Sequence, residues 1–283
     1  MRRELPAHIA AALLGNTADS AGQAWAGRDL SGPRNPLHAF DDDDGAADPR
    51  LAAAVAQLRE PTDRPGPCER AVFGALTTAR VFIPIVAEVS QHAAGEAGLR
   101  ADKEADMSLV TLSAPDGRKA LPVFSSTAAL QRWHPGARPV AAYATRAALA
   151  AASESAELMV LDPGAPVTFV LRRPGVWALA QQLEWTPSYE DTALATLVED
   201  LTRAHPAVLS VHLRPAAGVT TRGSDGTLAA GGGPGPELRL DLQLRAGLTS
   251  HQVRDTVASL RSQLLALPEF VERVDSLDLR LLG

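Results

Sequence analysis

The chain has 283 residues, 46% hydrophobic and 21% charged, a balance that excludes a disordered or fibrous protein and can fill one large core or two ordinary ones. Its net charge of -6 gives no general attraction to phosphate backbones, so composition argues against a nucleic-acid partner except through a local basic patch. Cys68 is the single cysteine, which excludes an internal disulfide framework and a thiolate metal cluster, fits a reducing compartment and leads us to expect a cytoplasmic protein.

The first stretch, "MRRELPAHIAAALLGN", could be taken for a secretion signal. Glu4, Pro6 and His8 interrupt its apolar run, however, and Leu5, Ile9, Ala12 and Leu13 recur near helical spacing, which favours a short amphipathic helix. No apolar run approaches the roughly 20 residues that cross a bilayer, and no membrane association is expected. Residues 17–48 are rich in glycine, proline and aspartate and read as an extended arm. Trp25, Leu30, Leu37 and Phe40 are its anchors, and Trp25 and Phe40 are candidate partner contacts. Asp41 to Asp44 lack the alternating ligands, central glycine and distal glutamate of a calcium loop, so a solvated acidic turn is expected.

"DPRLAAAVAQLRE" predicts a helix capped by Asp48, with Pro49 at its first position and Leu51, Val55 and Leu58 on one side. A second helix follows around Val72, Ala75 and Leu76. The apolar run "VFIPIVAEV" is a buried strand in which Pro84 suggests an edge or a bulge. "MSLVTLSAPDGRKALPVF" reads as a hairpin turning on Ala-Pro-Asp-Gly. Further on come a strand at "RPVAAYA", a helix capped by Thr145, a strand pair at "ELMVLDPG" and "PVTFVLRR", and a helix begun by Pro174. These elements make an α+β domain with a largely antiparallel sheet.

Ser125 and Ser126 stand where a strand runs into a helix, a place where hydrolases present a nucleophile. No glycines flank them to sharpen the turn, and His134 would lie roughly 12 Å further along a continuing helix. A helix cap explains the serines. The seven histidines are scattered without H-x-x-x-H or H-E-x-x-H spacing, so no catalytic, metal or cofactor residues are assigned. "GSDGTLAAGGGPGP" lacks the lysine and hydroxyl residue of a phosphate loop and reads as a flexible loop exposed to proteases.

From residue 190 the pattern is helix, strand, strand, helix, strand, a two-layer α-β-β-α-β unit. Leu209, Val211 and Leu213, then Leu238, Leu240, Leu242 and Leu244, then Leu277, Leu279 and Leu281 are expected on the face covered by helices. The other face carries Ser210, His212, Arg214, Arg239, Asp241, Gln243, Arg245, Asp278 and Arg280, a locally basic set. Arg214, Arg239, Arg245 and Arg280 are therefore candidate partner-binding residues. The expected division is an N-terminal helix and arm over 1–48, an α+β domain over 49–185 and the smaller unit over 190–283.

The stretches "DSAGQAWAGRDL", "DDDDGAADPRLAAAV", "DGRKALPVFSSTAALQRWHPGARPV", "LMVLDPG" and "RRPGVWALAQ" resemble the SseB-like family, named for enhanced serine sensitivity. The likeness runs from about Asp19 through most of the chain. It implies an α+β N-terminal SseB domain and a distinct C-terminal SseB domain, and it supplies no catalytic residues. Three readings remain open. The first is a cytoplasmic, non-enzymatic adaptor acting through an unidentified protein partner. The second is a module that senses a small ligand such as an amino acid. The third is a ribosome- or RNA-associated protein, against which stands the absence of stacking aromatics on the basic face.

Overall fold

The computed structural model describes residues 40–60, 64–88, 106–223 and 225–282. Trp25 and the rest of the arm before Phe40 lie outside them. The first part of the chain forms α1 (Pro49–Gln57), α2 (Gly66–Leu76), β1 (Arg80–Glu88), β2 (Asp106–Leu109), β3 (Leu112–Ser113) and β4 (Lys119–Val123). It continues with α3 (Thr127–Trp133), β5 (Arg138–Tyr143), α4 (Ala144–Ser153), β6 (Leu158–Leu161), β7 (Phe169–Leu171) and α5 (Arg173–Gln181). A 3-10 turn, Ser188–Glu190, leads to α6 (Thr192–Thr202), β8 (Val208–Pro215), β9 (Thr220–Arg222), β10 (Leu228–Ala230) and β11 (Leu238–Leu244). α7 (Ser250–Ala266), α8 (Pro268–Arg273) and β12 (Leu277–Leu282) complete the chain. This is an α+β protein, and none of these helices is long and apolar enough to cross a membrane.

Local signals act as the sequence predicts at the first helix. The Asp48 carboxylate accepts from the amides of Arg50 and Leu51, and Pro49 fills the first turn without leaving a donor unpaired. The acidic turn before it is more engaged than expected: Asp43 grips the Arg80 guanidinium at 2.6 and 2.9 Å and also accepts from the Gly45 amide. The cap expected at Thr145 is displaced. The cap position is Tyr143, two residues earlier; the Ala144 amide bonds the Ala79 carbonyl, so a tertiary bond fixes the turn out of β5 and no side chain caps α4.

β1 is the centre of a three-stranded antiparallel sheet, ordered β2-β1-β5. Pro84 is thus inside a central strand, opposite Pro139, and no ladder bond is lost. Phe82, with the same orientation two residues earlier, exchanges both main-chain bonds with Phe124 on the flank away from β5. Pro84 falls in the gap between that bridge and β2, where only its carbonyl is used, by the Val110 amide. The second sheet is ordered β3-β4-β6-β7, with β4 and β6 parallel. Its hairpin turns on Ala114-Pro115-Asp116-Gly117 as expected, with Gly117 at φ +83°, but it is short because residues 106–109 pair with β1 instead. One face of this sheet packs Leu121, Val123, Met159, Leu161, Phe169 and Leu171 into the core beneath α4 and α5.

The C-terminal sheet is ordered β12-β11-β8, antiparallel to β8 and parallel to β12, with α6, α7 and the short α8 on its apolar face. Leu238, Leu240, Leu242, Leu194, Val198, Leu260, Leu264 and Phe270 form its core. Leu209 departs from the expected alternation and is 60% exposed. The register explains it: Gln243 pairs with Ser210 and Leu244 with Val208, so Leu209 bulges out of the ladder.

The segment between β8 and β11 is the largest departure from expectation. It is not a flexible loop. Thr220–Arg222 and Leu228–Ala230 pair as the antiparallel strands β9 and β10, Ala229 joins the core of the N-terminal part, and the Ala230 amide bonds the Leu58 carbonyl. Val170 of β7 donates to the Gly231 carbonyl at 2.7 Å, which extends the second sheet past its edge. Here the glycines serve close approach: a Cβ on Gly232, at φ +115°, would stand 2.5 Å from the Val170 Cβ. Gly232→Ala is therefore expected to lower stability by about 1–3 kcal/mol in urea titration and to open residues 215–236 to limited proteolysis, while the wild type resists cleavage there.

Candidate functional site

The serine corner is structural. Ser126 is the N-cap of α3, its Oγ accepting from the Ala129 amide at 3.1 Å. The Ser125 amide donates to Asp162 Oδ1 at 2.8 Å. Burial pushes the Asp162 carboxyl up, against the pull of that bond.

A denser arrangement lies where the two halves of the chain meet. Two consecutive arginines, Arg172 and Arg173, lie between β7 and α5 and in its first turn, and both are buried. Arg172 Nη2 donates to the carbonyls of Gly218, Gly233 and Gly235 at 2.9, 3.1 and 3.2 Å, and its Nη1 donates to Asp275 Oδ2 at 3.1 Å. Arg173 donates to the carbonyls of Val271 and Val274 at 2.7 Å each, a cation placed at the C-terminal end of α8. Asp275 also takes Arg118 Nη1 at 2.6 Å, so one carboxylate with 1% side-chain exposure joins two guanidiniums. Burial works against its charge, but the neighbouring Arg118 and Arg172 outweigh it and hold the carboxyl below the usual range.

Behind this latch, Tyr189 in the connecting turn donates to Glu69 of α2 at 3.0 Å, and Arg70 pairs with Glu190. Glu237 accepts from the amides of Ser188 and Asp275. Burial pushes Glu69 up to about 8, with Glu237 and Glu190 adding to the rise and the Tyr189 hydroxyl and Arg172 opposing it. Burial raises Glu237 as well.

Residues 51–178, which supply Glu69, Arg118 and Arg172, match the family model described as SseB protein N-terminal domain. This part of the chain belongs to the SseB family. No curated protein and no solved structure matches the chain.

The SseB domain presents a cleft at the same junction. The second face of its β3-β4-β6-β7 sheet carries Leu112, Ala120, Leu158, Val160 and Val170, and these floor a cavity of about 450 Å³ walled by the 232–235 glycine run. Arg118 and Asp116 stand among its lining residues. Sequence reading missed this group entirely, since Arg118, Arg172 and Asp275 are partners only across the fold. The signal that was available is the pairing of a double arginine at a strand end with a distant glycine run.

The candidates chosen from sequence fall in separate places. Phe40 packs against Tyr143 at the end of β5 in the SseB domain, ring centroids 5.0 Å apart, and Trp25 lies outside the described residues. Three of the four arginines, Arg214, Arg239 and Arg280, share one sheet face, while Arg245 follows the end of β11, past the register shift at Gln243 and Leu244. Arg214 pairs across the ladder with Arg239, Arg239 with Asp278, and Asp241 with both His212 and Arg280. Arg239 is spoken for, its Nε bonding Asp241 at 2.8 Å. Arg214, Arg245 and Arg280 are exposed, and no ion pair holds them among the described residues.

Removing Arg172 strands Asp275 on one cation and leaves three carbonyls without their donor. Arg172→Met should therefore cost about 3–5 kcal/mol, read as a lower urea midpoint, with earlier proteolysis at residues 186–190. Glu69 gives the junction a pH dependence of known sign. Between the ordinary carboxyl value and about 8, the folded chain keeps a proton that the unfolded chain releases, so stability falls as pH rises through that window. Glu69→Gln removes that slope, and its stability relative to wild type should be higher at pH 8 than at pH 5 in paired melts.

Proposed function

We propose that this SseB-family protein is a non-enzymatic adaptor that works through protein contacts, with the open face of its C-terminal sheet receiving an acidic surface of the partner. The observation that carries this reading is the pair of exposed arginines, Arg214 and Arg280, left without ion pairs among the described residues on a sheet face that none of the described helices covers. A sheet must bury one face against its own helices, and the other is available for docking. Arginine suits such a surface because its planar fork engages carboxylates at two points. The commitment of Ser126 to a cap and of the Ser125 amide to Asp162 supports the non-catalytic reading of the strand-to-helix corner.

The test reverses charge where the structure leaves it unpaired. Arg214→Glu with Arg280→Glu should keep the wild-type melting temperature and remove a subset of captured proteins whose binding weakens between low and physiological salt. Identical capture by the variant and the wild type at both salts overturns the proposal. Loss of the salt-sensitive subset on nuclease treatment would overturn it in favour of a nucleic-acid ligand.

A further inference from the structure

The β3-β4-β6-β7 sheet is apolar on both faces, yet only one of them is packed under helices. Sheets of this composition normally sit between two covering layers. On the second face none of the described residues covers the cleft of about 450 Å³, a size typical of small-ligand sites. Its floor of Leu112, Ala120, Leu158, Val160 and Val170 is wholly aliphatic, with Ala120 and Leu158 buried and the other three half-buried. Its wall is main chain: a Cβ on Gly233 would stand 2.1 Å from the Thr220 carbonyl oxygen. The wall's carbonyls at Gly233 and Gly235 already accept from Arg172, so they are turned to the latch.

Ser113, Asp116, Arg118 and Arg172 are the polar side chains that line the cleft, and Arg118 is the one with a guanidinium nitrogen to spare. Its Nε is held by Asp116 Oδ2 at 2.7 Å and its Nη1 by Asp275 Oδ1 at 2.6 Å, which fixes the plane of the guanidinium. Nη2 has no hydrogen-bond acceptor among the described residues. Behind the floor, Arg118 and Arg172 share the single buried carboxylate of Asp275, while Asp116 is 51% exposed and screened by water. Two guanidiniums meet two carboxylates at this end of the cleft, and what is left over is a donor on Arg118, its Nη2.

We propose that the cleft binds an aliphatic carboxylate, its chain lying on the Leu112–Leu158–Val160–Val170 floor and its carboxylate accepting from Arg118. Aliphatic walls reward chain length, and an oriented guanidinium with a spare nitrogen selects an anion over an amine or an alcohol. This site is separate from the arginine face of the C-terminal sheet, and either can fail without the other.

Sodium octanoate, kept below its micellar concentration, is the probe, titrated into the full chain while methyl resonances are followed by NMR. Shifts should concentrate on Leu112, Leu158, Val160 and Val170. Octanol should bind roughly tenfold or more weakly, because it forfeits the charge-assisted bond, and octylamine should not bind. Arg118→Gln should bring octanoate down to the affinity of octanol. Val160→Phe, which fills the cleft without touching the Asp275 latch, should abolish binding of both while the melt stays cooperative. Absence of shifts at the floor methyls, or equal binding of octanoate, octanol and octylamine, overturns the proposal, and so does undiminished octanoate binding by Val160→Phe.

Discussion

The buried guanidinium of Arg172 is the constraint around which the two halves of this chain are arranged. A charge taken out of water is tolerable only when nearly every donor is matched, and here the matching acceptors come from four places in the sequence beyond residue 215. Gly218, Gly233 and Gly235 can offer their carbonyls at that range because nothing projects between the backbones. Asp275 is fixed in turn by Arg118, and Glu237 accepts from its amide. Loops that composition alone would leave unstructured are thereby given one geometry.

That arrangement explains which features were legible in the sequence and which were not. The capped start of α1, the Ala-Pro-Asp-Gly turn, the N-cap at Ser126 and the frame of α6, β8, β11, α7 and β12, into which β9, β10 and α8 are inserted, are set by neighbours within a few positions. They could be read directly. Leu209 could not, because its exposure depends on a register shift with β11, and Thr145 lost the cap to a bond from Ala144 to Ala79. The glycine run read as flexible since glycine licenses freedom and close packing alike, and only the presence of Val170 and Arg172 beside it decides between them.

The same distinction governs the candidate surfaces. Alternation in β8, β11 and β12 was enough to gather Arg214, Arg239 and Arg280 on one face, since a period of two is a local property, whereas Arg245 falls past the end of β11 and its register shift. The pairing of Arg239 with Asp241 on its own strand was within reach of the same pattern. The cleft was not, because its floor is the reverse side of a sheet whose strands β4, β6 and β7 are short apolar runs. Such runs announce burial on both faces without saying whether protein or ligand completes it.

One consequence concerns where the chain can be divided. By sequence the β9–β10 hairpin belongs to the C-terminal half, yet Ala229 sits in the N-terminal core and Gly231 accepts from Val170 at the rim of β7. A fragment ending near residue 185 would keep its hydrophobic centre but lose that cover. β7 would then carry a bare row of main-chain donors and acceptors next to exposed valines, the kind of edge onto which strands from other molecules add. The hairpin is, in this sense, a built-in guard against self-assembly, lent by one half of the chain to the other.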